Sequence, residues 1–161
     1  MKTGDILLIK GKYEIVSWII RKVIKIDYNH VAWIINSKEI IEATGGGIFI
    51  RKINRYSNKF FFKTKILRLK GINTKKLKIL LKSIKRKTKK SHYLLLWITY
   101  IMLLLKLKIK YPRMTCSGFI ACHLSKIGFY FDKRKSPKNI TPADILKSRR
   151  TYEISNIDAS I

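Results

Sequence analysis

Three residue types in this chain could together carry nucleophilic chemistry: a cysteine at the start of a helix, a histidine, and a carboxylate inside an apolar strand. Cys116 follows Thr115, a good N-cap residue, and Pro112 stands just ahead. Phe119, Ile120, Leu124 and Ile127 then recur at helical spacing, and Gly128 closes the run. Cys116 is therefore expected in the first turn of a helix. Unsatisfied N–H groups and the helix dipole lower a thiol's pKa there and can hold an oxyanion. A cysteine in an apolar helix is otherwise a small core residue, so the chemistry depends on a base and on a group that orients it.

The chain offers three histidines. His92 lies in a polar break. His123 is on the Cys116 helix, seven residues on and about 10 Å along the axis, too far for a direct hydrogen bond. His30 opens a predicted strand, and no geometry excludes it. Glu42 lies on the predicted return strand of the same hairpin with the same parity as His30, so both side chains share one face, diagonal to each other. Within Ile40-Ile41-Glu42-Ala43 a buried carboxylate without a partner would be costly, and a histidine relieves that cost. Glu39 competes, but sits at the turn and is expected to be solvated. Cys122, six residues beyond Cys116, points to a different face, so a disulfide between them is not expected. Two cysteines suggest neither a disulfide scaffold nor a zinc site, and no metal or cofactor is expected.

These residues need elements to position them. Ile6–Ile9, after a Gly-Asp turn, reads as a buried strand. Tyr13–Ile26 reads as an amphipathic helix. His30–Ile35 and Glu39–Thr44 form a hairpin around Asn36-Ser37-Lys38. Three glycines make a corner before a third strand at Ile48–Ile50, and Phe60–Leu69 is a further strand. Thr74 is expected to cap a helix to about Lys87, with Leu77, Leu80, Leu81 and Ile84 as its stripe. Tyr93–Leu105 is almost wholly apolar but shorter than the ~20 residues needed to span a bilayer. It reads as a buried or membrane-surface helix, followed by Lys106, Lys108 and Lys110, which could snorkel to headgroups. Thr141-Pro142-Ala143-Asp144 starts a short capped helix. The expected class is α+β, with an antiparallel sheet packed against the cysteine helix. With 161 residues, no repeat and no boundary, residues 1–161 read as one domain.

The chain carries 36 Lys and Arg against 9 Asp and Glu, a formal net charge of +27, while 47% hydrophobic residues exclude a basic disordered arm. Such a field attracts anionic membranes, acidic polymers or nucleic acid. Part of it is what A/T-rich codons would encode, as in a low-G/C bacterium, a phage or a large DNA virus. Met1-Lys2-Thr3-Gly4-Asp5 runs directly into Ile6–Ile9, too short for a signal peptide's apolar region, so the expected compartment is cytoplasmic, with membrane association left open.

The ordered set Gly4-Asp5-Ile6-Leu7-Leu8, Tyr28-Asn29-His30-Val31-Ala32, Ile41-Glu42-Ala43 with its glycines, Thr115-Cys116-Ser117 and Thr141-Pro142-Ala143-Asp144 resembles a known family. It is similar to the circularly permuted NlpC/P60 branch of papain-like enzymes, which includes YiiX/YaeF-like and lecithin retinol acyltransferase-like proteins. The resemblance spans Gly4 to about Leu146. It implies a papain-like fold in permuted order, Cys116 as nucleophile, His30 as general base and acid, and Glu42 as orienting residue. Tyr28 would help an oxyanion hole, and Thr115 is a further candidate for oxyanion or substrate contact. An acid in the third position favours the YiiX-like side. The implied substrate is a cell-wall-type peptide amide or an acyl lipid. The competing reading is a non-enzymatic basic module on nucleic acid or anionic membrane, supported by the charge and by Lys85–Lys90 but by no nucleic-acid motif.

Overall fold

In the computed structural model, residues 1–11, 28–44, 47–88 and 115–155 are described. Six strands form one antiparallel sheet: β1 (Ile6–Gly11), β2 (His30–Ile34), β3 (Glu39–Thr44), β4 (Gly47–Lys52), β5 (Phe62–Leu69) and β6 (Thr151–Ser155), in the order β4-β3-β2-β1-β5-β6. The described α-helices are α1 (Thr74–Thr88), α2 (Cys116–Ser125) and α3 (Pro142–Lys147). The class is α+β, as expected.

Strand β1 lies at the middle of the sheet with both faces covered. Ile6 and Leu8 enter one core with Val31, Trp33, Ile41 and Leu67, against Leu77, Leu81, Phe119, Ile120 and Leu124 of the helices. Leu7 and Ile9 enter a second core with Ala32, Ile34, Ile40, Ile53, Tyr56 and Ile66. Burial on two faces is why Ile6–Ile9 is continuously apolar and does not alternate.

The β2–β3 hairpin forms as the sequence suggests. Asn36 Oδ1 accepts from the Lys38 and Glu39 N–H groups, which closes the turn at 2.8 Å for each bond. The register pairs Ala32 with Glu42 and Trp33 with Ile41, so His30 and Glu42 share a face on a diagonal. Glu39 differs from expectation: it is half-buried and takes Lys85 Nζ of α1 at 2.6 Å, tying the hairpin to that helix. The α1 cap also differs. Asn73 Oδ1 accepts from Lys76 N, while Thr74 is already helical; asparagine is the better Ncap. Strand β5 begins at Phe62, two residues later than expected, because Asn58 closes a turn over Phe60 and Phe61. Strand β6 was not anticipated; it pairs with β5 through an irregular register at Ile66 and Leu67.

The expected helix at Tyr13–Ile26 and the apolar segment Tyr93–Leu105, with Lys106, Lys108, Lys110 and His92, lie outside the described residues. Among the described residues no helix is long and apolar enough to cross a membrane.

Candidate active site

The cysteine helix starts as its sequence dictates. Thr115 is extended (φ −65°, ψ 162°) and its hydroxyl accepts from Gly118 N at 3.0 Å. Ser117 Oγ, fully buried, donates to the Ile140 carbonyl at 2.6 Å. Gly118 lies so close to the Lys138 carbonyl that a Cβ would stand 2.7 Å from it. The first turn is thus pinned to the Pro137–Asn139 3-10 turn and to Ile140, which fixes where Cys116 points. The helix ends at Ser125, and Gly128 (φ 79°) takes the left-handed turn beyond it.

His30 opens β2 at one end of the sheet, and the first turn of α2 reaches it. The Cys116 thiol lies close enough to the His30 ring for the two to shift each other's titration, and the backbone N–H groups of Val31 and Ser117 add to the field at the sulfur. Burial raises the thiol's pKa, but the histidine's hydrogen bond and charge, with those two N–H groups, outweigh it, and the net shift is downward. Across the hairpin, His30 Nε2 meets Glu42 Oε2 at 3.0 Å. With Nε2 engaged there, Nδ1 is the ring nitrogen left for the thiol. Burial works to lower the His30 pKa. Its bonds to Cys116 and Glu42, and their charges, push it up to about 9. The two shifts are opposite in sign and both favour the charged form, so together they describe a thiolate–imidazolium pair. The His30 side chain keeps 20% of its exposure, which leaves room for a substrate to reach it.

Glu42 is 2% exposed, and its carboxylate is held from three sides. The Tyr56 hydroxyl donates to Oε2 at 2.6 Å. Arg51 Nε lies 2.7 Å from Oε1; its N–H is not aimed at that oxygen, so this contact is coulombic. Arg51 is steadied by the Phe49 ring, 4.8 Å from the guanidinium carbon. Burial raises the Glu42 pKa, but the bonds from His30 and Tyr56 and the charges of His30 and Arg51 bring it below the ordinary value. Burial, and then the same carboxylate, raise the Tyr56 hydroxyl's pKa, so the phenol stays a donor.

The sequence reasoning missed Tyr56 and Arg51. Parity could have found Arg51: it pairs with Ile40, two residues from Glu42 on the same face. Tyr56 comes from a 3-10 turn, Ile53–Tyr56, that has no strong sequence signal. Tyr28 is buried in the core cluster against which Cys116 packs. The Thr115 hydroxyl serves the helix cap and lies 3.3 Å from Ser117 Oγ. His123 stays apart from the site: its Nδ1 is 2.9 Å from the Phe119 carbonyl one turn back. Cys122 is a free thiol, half-buried on another part of α2. No cluster of metal-ligating side chains occurs among the described residues.

Two comparisons give this geometry no named counterpart: no family model matches the chain, and no curated protein matches it.

Proposed function

We propose that the protein is a papain-like cysteine hydrolase of the permuted NlpC/P60 type, with Cys116 as nucleophile, His30 as general base and acid, and Glu42 as the residue that orients His30. The observation that carries this reading is the 3.0 Å contact of His30 with the buried Glu42, beside a thiol in the first turn of a helix whose titration is coupled to that histidine. A carboxylate held by Tyr56 and Arg51 as well as by His30 exceeds what a core histidine needs for satisfaction.

The thiolate attacks the carbonyl carbon of an amide or ester, forming the S–C bond. The carbonyl electron pair moves to oxygen, facing the Cys116 N–H at the helix start. Collapse of this intermediate breaks the C–N or C–O bond, and the imidazolium of His30 gives its proton to the leaving group. Neutral His30 then takes a proton from water as the oxygen attacks the thioester. The C–S bond breaks, and thiolate and imidazolium are restored. Glu42 holds the ring and its charge throughout and is not itself protonated. The bond cleaved is a cell-wall-type peptide amide or an acyl-lipid linkage.

Intact-mass spectrometry with p-nitrophenyl acyl esters of increasing chain length, and with a peptidyl p-nitroanilide, tests this. One acyl adduct is expected on Cys116, decaying as water releases it and missing in Cys116→Ala. Equal turnover by Cys116→Ala, with adducts scattered over lysines, would remove the proposal.

A further inference from the structure

The turn before β5 is built in an unusual way. Asn58 holds it: Phe60 N donates to Asn58 Oδ1 at 2.9 Å, and Phe61 N and Phe62 N donate to the Asn58 carbonyl at 3.2 and 3.0 Å. This polar clamp presents two consecutive phenylalanines outward. Phe60 is 63% exposed and Phe61 49%, with their rings in edge contact at 5.2 Å. Burying a phenylalanine side chain is worth about 1.5–3 kcal/mol, so a hydrogen-bonded turn that holds two of them outward forgoes a substantial stabilisation. Adjacent exposed apolar side chains of this kind mark a contact surface.

Their surroundings say what the contact is with. Lys52, Arg55, Lys59 and Lys63 are exposed on the same stretch. No acidic residue occurs in the sequence between Glu42 and Asp132. Apolar tips set among cations suit the boundary of an anionic bilayer, where rings enter the acyl region and ammonium groups meet headgroup phosphates. A single-stranded nucleic acid would also meet cations and aromatics, but successive bases need parallel platforms. Here the rings stand at 89° to each other on a convex turn.

The turn is also placed to matter. Gly11 pairs with Phe62, and Ile9 with both His30 and Thr64, so the aromatic turn and the His30 end of β2 lie at the same end of the sheet. From the strand spacing and rise, Phe62 is about 12 Å from His30. Phe62 packs its ring edge-on to Tyr56 at 5.1 Å, and Tyr56 holds Glu42.

We infer that the Asn58–Phe61 turn docks on an anionic lipid bilayer, with Phe60 and Phe61 entering the interface and seating the Cys116–His30 end of the sheet beside the membrane. This surface stands on its own residues and does not require Cys116 to be a nucleophile.

Co-sedimentation with sucrose-loaded vesicles tests it, using phosphatidylcholine with and without about 30% phosphatidylglycerol, whose charge gives the surface the negative potential that attracts basic segments. The full-length protein is expected to bind the anionic vesicles and to retain part of that binding at high salt, since the apolar part is unscreened. Phe60→Ser/Phe61→Ser is expected to lose binding by about tenfold or more and to become fully salt-sensitive, because two Phe insertions exceed the 1.4 kcal/mol of one decade. Both positions are exposed, so an unchanged unfolding midpoint separates lost docking from lost fold. Lys59→Glu/Lys63→Glu supplies an independent variant and should weaken binding mainly at low salt. Undiminished binding by the Phe pair variant would overturn the inference, as would failure of the wild type to bind either vesicle. Binding that single-stranded DNA competes away completely and that vanishes at high salt would also overturn it, leaving a polyanion site. Retained docking by Cys116→Ala supports the surface whatever the fate of the hydrolase reading.

Discussion

The Tyr56 hydroxyl and the His30 ring share one oxygen: Tyr56 reaches Glu42 Oε2 at 2.6 Å, and His30 Nε2 meets the same atom at 3.0 Å. Tyr56 therefore fixes the carboxylate from a 3-10 turn outside the strand pair that supplies His30 and Glu42. Removing the hydroxyl leaves Glu42 buried with one donor fewer. A hydrogen bond to a charged group contributes about 1.5–3 kcal/mol, so Tyr56→Phe should lower the unfolding free energy by about that amount in urea. Because Oε2 is then held by His30 alone, the same variant should also slow alkylation of Cys116 at neutral pH. If stability falls while alkylation is unchanged, Tyr56 serves the core and not the histidine.

The second prediction concerns the two thiols. Cys116 has its pKa lowered by His30 and two backbone N–H groups, after burial has opposed it, and thiolate is the reactive species. Brief treatment with iodoacetamide at neutral pH should label Cys116 ahead of Cys122, as read by peptide mass mapping. His30→Ala should slow the labelling of Cys116 by about tenfold or more, since one pKa unit changes the thiolate fraction tenfold when thiol predominates. Preferential labelling of Cys122 would contradict the assignment.

The coupling of Cys116 and His30 predicts an unusual pH dependence of stability. A histidine raised from 6.5 to about 9 contributes stability that is complete below 6.5 and lost as pH rises through about 9. A thiol lowered from 9.0 contributes stability that is present above 9.0 and lost as pH falls through its native value. Within the window from pH 6.5 to about 9, wherever pH exceeds the thiol's native pKa, the second gain opposes the first loss, so wild-type stability should fall less than His30 alone would dictate. Cys116→Ala removes the gain and also the larger of the two influences that raise His30, so its stability should follow pH differently from the wild type's across that window. Urea unfolding at three pH values across that window reads this directly. Parallel curves for both proteins would refute the ion pair.

Much of this arrangement was legible because it rests on short-range rules. Parity and a three-residue turn were enough to put His30 and Glu42 on one face. Thr115, with apolar residues at helical spacing, was enough to put Cys116 in a first turn. What escaped was supplied across the fold. Tyr56 reaches Glu42 from a 3-10 turn fourteen residues on, and Lys85 reaches Glu39 from a helix. Neither contact leaves a periodic trace in the sequence. Strand β6 escaped for a related reason: Thr151–Ser155 is short, half polar and paired irregularly at the sheet edge, so alternation had little length over which to show.

The last prediction turns on Gly118, two residues beyond the thiol. A Cβ there would stand 2.7 Å from the Lys138 carbonyl oxygen and 3.0 Å from Thr115 Oγ1. The first is backbone and cannot swing aside; the second is the cap that starts the helix. Ser117 already binds the Ile140 carbonyl at 2.6 Å, so the 137–140 segment and the first turn of α2 cannot both stay in place. Gly118→Ala should cost about 1–3 kcal/mol, as for overpacking elsewhere in a dense interior. The cost alone would not distinguish this site from any crowded glycine. The informative readout is the thiol: moving the first turn moves Cys116 away from His30, and its alkylation at pH 7 should slow under conditions where the variant remains folded. Ser117→Ala gives the complementary result, since it releases the Ile140 tether without crowding the turn, and a smaller loss of reactivity is expected. If Gly118→Ala is folded and Cys116 reacts as in the wild type, the close approach to Lys138 has no part in holding the thiol against its histidine.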